Sequence, residues 1–394
     1  MKTLYKLLSV LLILALALTG CGAPAPAPSA PPAGDVGTFT LTFITIGKGD
    51  AFLLTSPEGR HYLVDTGKAE DYQQIARTLR VKGIDTLDGI FVTHGHKDHA
   101  GCLDTLLGAF PTGAVYVNGH DDVSYTEILP DEICARRGVE LVGLAGGEVL
   151  DLGGMTAEVW LPAGTDPVNA NNNSLVLRVL HGNLAFLLMG DAELEEEALL
   201  LNSEFDLRAD LLKLGHHGED DASSPAFLDR VKPKIGLIAG NAEENPESVD
   251  PAVTALLEER HITPYYSECD GLAWEFLSDG TAITPQLLED TELPAGPALS
   301  FAEVDRPAQR VSIRNDGDEP ADLTGCMLIS QRGDEHYLFP AGTMLEPGAV
   351  LTVACEGYEK EGDLIWPGEA VWRKKRDEAL LYDHNMNLLD EDRP

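Results

Sequence analysis

Residues 92–102 read VTHGHKDHAGC and place three histidines and one aspartate within six positions, directly behind the apolar run LDGIFV. Few features constrain a fold so tightly. Each imidazole carries two nitrogens that need partners, so His94, His96 and His99 cannot simply continue a core strand. A polar loop with neighbouring histidines would explain the composition, but not the crowding. Imidazoles beside the Asp98 carboxylate, gathered at a strand end, are the donor set that a divalent metal ion requires. The remaining donors must come from elsewhere in the chain.

Two further clusters follow apolar strands in the same way. Asp191 ends LAFLLMGD, and the His216–His217 pair ends LLKLGHHG. Around them strands and helices alternate. TFTLTFITI, AFLLTS and HYLVDTG read as strands, and DYQQIARTLRVKG spaces its apolar residues as an amphipathic helix that stops at glycine. The pattern predicts a strand entering the histidine loop, with a helix opening at about Gly101. SLVLRVL and LAFLLMGD read as a hairpin, and helix–strand pairs continue to LAWEFLS. This is an α/β layered domain over 38–287, with its polar clusters just past strand C-termini, where active sites of such folds sit. Pro294 and Pro297 mark a linker over 288–299. Residues 300–394 then change to short strands and turn signals (QRVSIRN, DGDEP, CMLISQ, HYLFP, AVLTVAC, EALLYD), the pattern of an all-β sandwich.

The start of the chain speaks to location. MKTLYKLLSVLLILALALTG has lysines ahead of an apolar run and small residues before Cys21, so residues 1–20 read as a secretory signal. LTGC resembles the bacterial lipoprotein signal, which implies lipidation of Cys21 and a tether to the bacterial cell membrane. Residues 21–37, rich in proline and alanine, read as an extended spacer. The other five cysteines form no CxxC pair, and Cys326 and Cys355 are the two that could pair. The formal net charge of −37 argues against a nucleic-acid binder that works through a basic surface. A phosphodiester held locally by metal charge remains compatible with it.

HGHKDH matches the HxHxDH loop of metallo-β-lactamase-fold hydrolases. With VDTG at 64–67, GD at 190–191 and His217, the chain resembles that family over about residues 38–285. The resemblance implies a four-layer αββα fold and two divalent ions, zinc or manganese. His94 and His96 would bind one ion, Asp98 and His99 the other; Asp191 would bridge them, and His217 would complete the second ion's shell. Asp98 would also orient the attacking hydroxide, and Asp65 would hold ligand histidines from behind. His61, His120, His181 and His261 read as ordinary surface or turn residues.

One ligand histidine common in the fold is missing, since ANNNSLVLRV stands before the hairpin. That substitution, TIGKGDAFLL at 45–54, GDAE at 190–193 and LKLGHHG resemble the ComEC-like branch of DNA-uptake proteins and the related phosphorylcholine esterases. The branch makes Asn171, Ser174 and Glu193 candidate site-lining residues. Either His216 or His217 can be the ligand at this tip; with His217 as the favoured ligand, His216 is left to contact the scissile phosphate or protonate the leaving group. The chain departs from the branch where HHGED replaces HHGS and Asp250–Pro251 replaces a histidine–proline. The C-terminal segment resembles a lamin-tail domain, an immunoglobulin-like sandwich. Its WRKKR run at 372–376 offers a site for a polyanion or cell-surface ligand, or simply a solvated turn.

The resemblance implies a secreted, membrane-tethered metal-dependent phosphodiesterase, foremost a nuclease acting on extracellular DNA. A phosphorylcholine-esterase-like hydrolase of small or cell-wall phosphoesters is the alternative within the same chemistry. A surface-binding lipoprotein working through its lamin-tail module is the alternative outside it. Oligomeric state is not legible from the chain.

Overall fold

The computed structural model describes residues 36–119, 127–240, 249–333, 335–358, 362–368, 370–373 and 376–394. The signal at 1–20, Cys21, most of the spacer, His120 and the Lys374–Lys375 centre of the basic run lie outside the described residues.

Two sheets face each other. The first begins as an antiparallel meander of β1 (Phe39–Ile44), β2 (Phe52–Thr55) and β3 (His61–Val64), and continues in parallel through β4 (Leu87–Val92), β5 (Thr112–Asn118) and β6 (Glu140–Leu144). The second contains β7 (Val149–Asp151), β8 (Thr156–Trp160), β9 (Val176–His181) and β10 (Leu184–Leu188), then the parallel β11 (Leu211–Lys213), β12 (Ile235–Ile238) and β13 (Thr263–Tyr266). β14 (Ala273–Ser278) and β15 (Ile283–Leu288) return to the first sheet beside β1, giving orders 15-14-1-2-3-4-5-6 and 13-12-11-10-9-8-7.

Alternation along each strand divides the side chains between layers. Leu41, Phe43, Phe52 and Leu54 meet Leu177, Val179, Phe186 and Leu188 in the core between the sheets. Leu53, Leu63 and Ile90 face the other way, against α1 (Tyr72–Val81) and the helix Leu103–Ala109. Ala185, Leu187 and Leu212 likewise pack on the helices Leu194–Leu201, Pro225–Val231 and Pro251–Glu259. The result is four layers, αββα. The expected helix after the histidine loop opens earlier than Gly101: Lys97–Ala100 already forms a helical turn, so His99 points into the structure from a helix.

Beyond residue 288 the chain forms two four-stranded sheets around a separate core. They are β16 (Leu299–Asp305), β17 (Arg310–Asn315), β22 (Val350–Cys355) and β23 (Leu364–Trp366), and β20 (Glu335–Leu338), β19 (Met327–Ser330), β24 (Ala379–Tyr382) and β25 (Leu388–Asp392). β18 (Ala321–Asp322), just after the DGDEP segment, pairs with β21 (Met344–Leu345). Val311, Leu328, Phe339, Trp366 and Trp372 fill the interior. Trp372, the first residue of the basic run, is therefore buried in this core, with its ring edge-on to Trp366 at 5.3 Å.

This sandwich is docked on the helical layer. Met327, Ile329 and Leu380 join Tyr72, Ile75 and Leu103 in one apolar cluster. Arg77 of α1 donates to Asp290 Oδ1, the Thr291 carbonyl, the Asn385 carbonyl and Asn387 Oδ1 at 2.8–2.9 Å. A guanidinium suits this work because its donors are fixed in one plane.

Cys326 and Cys355, the two that could pair, are both free and buried as small apolar groups in the sandwich core. One expectation needs correction. His181 is not a surface residue; it is buried at the end of β9, with Nδ1 2.8 Å from Ser278 Oγ. Among the described residues, no helix is long and apolar enough to cross a membrane.

Asp71, just before α1, yields a pH test. Burial pushes its carboxyl up from 3.8 to about 7, against the pull of the Lys68 N–H that donates to it at 2.7 Å. The unfolded chain ionises this group from about pH 4, while the folded protein keeps the proton until about pH 7. Stability should therefore fall as pH rises through that window. Asp71→Asn, which keeps an acceptor for Lys68, should show a smaller drop in Tm between pH 5 and pH 8 than the unsubstituted protein. Equal drops would contradict the assignment.

Candidate metal centre

The rim at which β3, β4, β10 and β11 end collects the three polar clusters. Asp65 follows β3 in a left-handed conformation (φ 60°), and its carboxylate accepts from the Thr93 N–H (2.8 Å), the Thr93 hydroxyl (2.7 Å) and His99 Nδ1 (2.8 Å). These bonds tie the end of β3 to the end of β4 and fix the His99 ring so that Nε2 points inward. The Asp98 carbonyl accepts from the Asp50 N–H at 3.0 Å, and a Cβ at Gly49 would stand 2.9 Å from that carbonyl. A side chain there would push the loops apart, which is the reason for glycine.

Asp191 is set by its own backbone. Its N–H donates to Ser174 Oγ at 3.0 Å, and Gly190 before it is left-handed (φ 54°), with Ser174 and Thr93 too close to admit a Cβ. Past β11, His216 and His217 both adopt left-handed conformations (φ 39° and 54°). Non-glycine residues rarely occupy this region, and such strain collects at functional sites. Its effect is visible here: His217 turns inward and is fully buried, while His216 stays at the mouth.

The side chains converge on one point. Ligand atoms of Asp98, His99, Asp191 and His217 all lie within 4.8 Å of one another. Asp191 Oδ2 is 3.0 Å from His99 Nε2 and 3.1 Å from His217 Nε2, and Asp98 Oδ2 is 3.5 Å from His217 Nε2. Yet the buried His99 Nε2 and both nitrogens of His217 make no hydrogen bond. Inward-facing imidazole nitrogens without hydrogen bonds, beside carboxylate oxygens, suit a divalent cation such as zinc or manganese. His94 and His96 stand alongside, with His94 Nε2 3.0 Å from His96 Nδ1 and the His94 ring 4.2 Å from that of His99.

Electrostatics point the same way. Burial alone would raise the Asp191 carboxyl, but His217, His99 and Lys213 hold it well below the ordinary range. Asp98 is lowered too, with contact to His217 and the charge of His99 overcoming its partial burial. Burial and the neighbouring His99 lower His94, whereas Asp191 and Asp65 raise His99 despite its burial. The cluster thus demands positive charge, which protons or divalent cations can supply. Cation binding to such a set releases protons, because the ligating imidazole is neutral.

The remaining candidates line the mouth or support it. Asn171 Nδ2 donates to Glu193 Oε1 (2.7 Å) and lies 3.4 Å from His216 Nε2, while Asn169 holds Glu193 Oε2 at 2.6 Å. His216 Nδ1 is 2.8 Å from Asp221 Oδ1. Ser174 sits behind Asp191 rather than in the mouth, since its hydroxyl is used by the Asp191 N–H. A few places past HHGED, Ser223 and Ser224 donate their N–H groups to Glu197; at the other departure, Asp250 caps the helix Pro251–Glu259 through the Ala252 N–H.

Two buried residues escaped the sequence reading. Asp50, within TIGKGDAFLL, and Lys213, within LLKLGHHG, form an ion pair of 2.6 Å beside Asp191. The signal was a lysine enclosed by leucines in a strand.

The sequence model of the Metallo-beta-lactamase superfamily matches residues 44–240, half of the chain, and that of the Lamin Tail Domain matches residues 293–392. The chain belongs to the metallo-β-lactamase superfamily, and its fold and donor cluster are those of a metal-dependent hydrolase. It is similar to ComE operon protein 3 of Bacillus subtilis (strain 168), 28% identical over 252 residues, which cover 58% of this chain and 32% of the relative. Competence protein ComA of Neisseria gonorrhoeae is 28% identical over 231 residues, 57% of this chain and 31% of its own length. The chain thus spans about a third of the length of these curated relatives. The crystal structure of the metallo-beta-lactamase fold protein YhfI from Bacillus subtilis aligns with 60% of this chain and 99% of its own, at 14% identity and a TM-score of 0.43.

Asp65 gives the test of how the centre is held. Asp65→Ala would strand the Thr93 N–H, the Thr93 hydroxyl and the His99 ring in the interior. A loss of roughly 3–5 kcal/mol in urea unfolding is expected, with metal affinity lower by about 10- to 100-fold. An unchanged urea midpoint with unchanged affinity would show that these bonds do not hold His99.

Proposed function

We propose that the protein is a metal-dependent phosphodiesterase, foremost a nuclease acting on extracellular DNA from a lipid anchor at Cys21. The observation that carries the reading is the convergence of Asp98, His99, Asp191 and His217 beside His94 and His96, opening on a mouth lined by Asn171, Glu193 and His216. Similarity to competence proteins supports DNA as the substrate.

His94 and His96 would hold one ion; Asp98, His99 and His217 would hold the second, with Asp191 between them. Bound zinc or manganese supplies a Lewis acid for a phosphoryl oxygen and a nucleophilic water at neutral pH. Asp98 is the most exposed of its four-donor cluster, with 20% of its side chain accessible, so it is placed to orient that water. The Asp221 contact fixes the His216 ring and leaves Nε2 facing the mouth, where it can meet a phosphate oxygen or the leaving group. Asp65 keeps the His99 ring in register, and Ser174 does the same for Asp191 through its backbone.

The surface sets a condition on the substrate. A chain of net charge −37 repels a polyanion at long range. Salt screens that repulsion over about 10 Å at 0.1 M. KM for DNA should therefore fall as ionic strength rises from low values, opposite to a binder with a basic face.

A second reading rests on Glu193. Its carboxylate is held by two asparagine amides at the mouth, with Asp221 and Glu219 around His216. Such a mouth suits the cationic head group of a phosphorylcholine-like ester.

The test is cleavage by the purified, metal-depleted protein after addition of Mn²⁺ or Zn²⁺. Single- and double-stranded DNA would be compared with bis(p-nitrophenyl) phosphate and p-nitrophenylphosphorylcholine. Metal-dependent DNA cleavage is expected, lost on chelation and reduced about 10²- to 10⁴-fold in Asp98→Asn. Cleavage of the small choline ester alone would move the assignment to the second reading. Tight metal binding with no hydrolysis of any substrate would refute both.

A further inference from the structure

Lys213 is a fully buried lysine in the middle of the centre. It belongs to β11, between Leu212 and Leu214, both of which pack toward the outer helices. Its ammonium group meets three acceptors: the Gly190 carbonyl at 2.6 Å, Asp50 Oδ2 at 2.6 Å and Asp191 Oδ1 at 3.3 Å. An ammonium has three donors, so the group is fully used. Asp191 therefore has unequal oxygens. Oδ1 faces a fixed internal cation, and only Oδ2 faces His99 and His217.

The consequence falls unevenly on the two metal positions. The first has four donors within 4.8 Å of one another, two of them carboxylates. The second has the His94 and His96 rings, with nitrogens 3.0 Å apart. Asn171 turns its amide nitrogen to Glu193, and the second Asp191 oxygen is held by Lys213.

We propose that Lys213, by holding Asp191 Oδ1, makes the metal centre unequal: one ion would be held tightly among Asp98, His99, Asp191 and His217, and an ion at His94 and His96 weakly. This rests on the metal-dependent phosphodiesterase reading above. Asp50 is the positioning partner of the lysine. Its other oxygen lies 3.6 Å from His217 Nδ1, so the same carboxylate orients both the lysine and a donor of the tight position.

The test is Mn²⁺ titration of the full, metal-depleted protein without substrate, read by calorimetry and electron paramagnetic resonance, with circular dichroism to confirm folding. The first ion should give a mononuclear spectrum and bind about 10- to 100-fold more tightly than the second. His94→Ala should keep the first event and lose the second, and His217→Ala should lose the first. Lys213→Met frees Asp191 Oδ1, so its two affinities should converge and a spin-coupled pair should form at sub-saturating metal. If Lys213→Met does not fold, Lys213→Gln is measured in its place, and the order of loading in His94→Ala and His217→Ala decides the question. Two ions bound equally by the unsubstituted protein, or a Lys213 variant that keeps the original gap, would overturn the inference while leaving metal-dependent hydrolysis standing. A protein that binds no ion would overturn both.

Discussion

Four carboxylates gathered in a protein interior repel one another, and this constraint governs the rest of the molecule. Asp50, Asp65 and Asp191 are almost wholly buried, and Asp98 is mostly so. Unpaired charge in such a place is costly unless partners of opposite sign surround it. Lys213 supplies one positive charge, and protons on His99 and His217 or divalent cations supply the rest. The centre therefore stores a standing demand for cations, and the protein around it serves to keep that demand in place.

The fold meets this need by bringing strand ends together across two sheets. β3 and β4 deliver Asp65 and the histidine loop from one sheet, and β10 and β11 deliver Asp191 and His217 from the other. Apolar side chains between the sheets fix their spacing, and the left-handed residues Asp65, His216 and His217 turn the chain at the rim. Strain at three site residues is tolerable because well-packed strands on both sides hold them. The C-terminal sandwich adds to this rigidity, since it shares an apolar cluster with α1 and the helix Leu103–Ala109 and is pinned by Arg77.

Much of this was legible because metal chemistry leaves dense local signals. HGHKDH cannot be ordinary core or ordinary loop, and apolar runs ending in GD and GHHG mark two more strand ends at the same rim. Layering was legible for a similar reason, since strand alternation is a local property. What escaped depended on contacts distant in sequence. Asp50 lies in a glycine-flanked loop like many solvated turns, and its partner Lys213 is 163 positions away. His181 resembled a turn histidine until Ser278, nearly a hundred residues later, was placed beside it. The early helical turn at Lys97 was obscured because His96, Asp98 and His99 read as ligands first and as helix formers second.

Asp98, His99, Asp191 and His217 should act as one metal centre at the rim between the sheets. The most direct measurement is a crystal structure of the Mn²⁺- or Zn²⁺-soaked protein with anomalous scattering recorded at the metal edge. A dominant peak enclosed by Asp98, His99, Asp191 and His217 is expected, with ligand distances of about 2.0–2.2 Å. A dominant peak elsewhere, for example among Glu193, His216 and Asp221, or no peak at saturating metal, would contradict it.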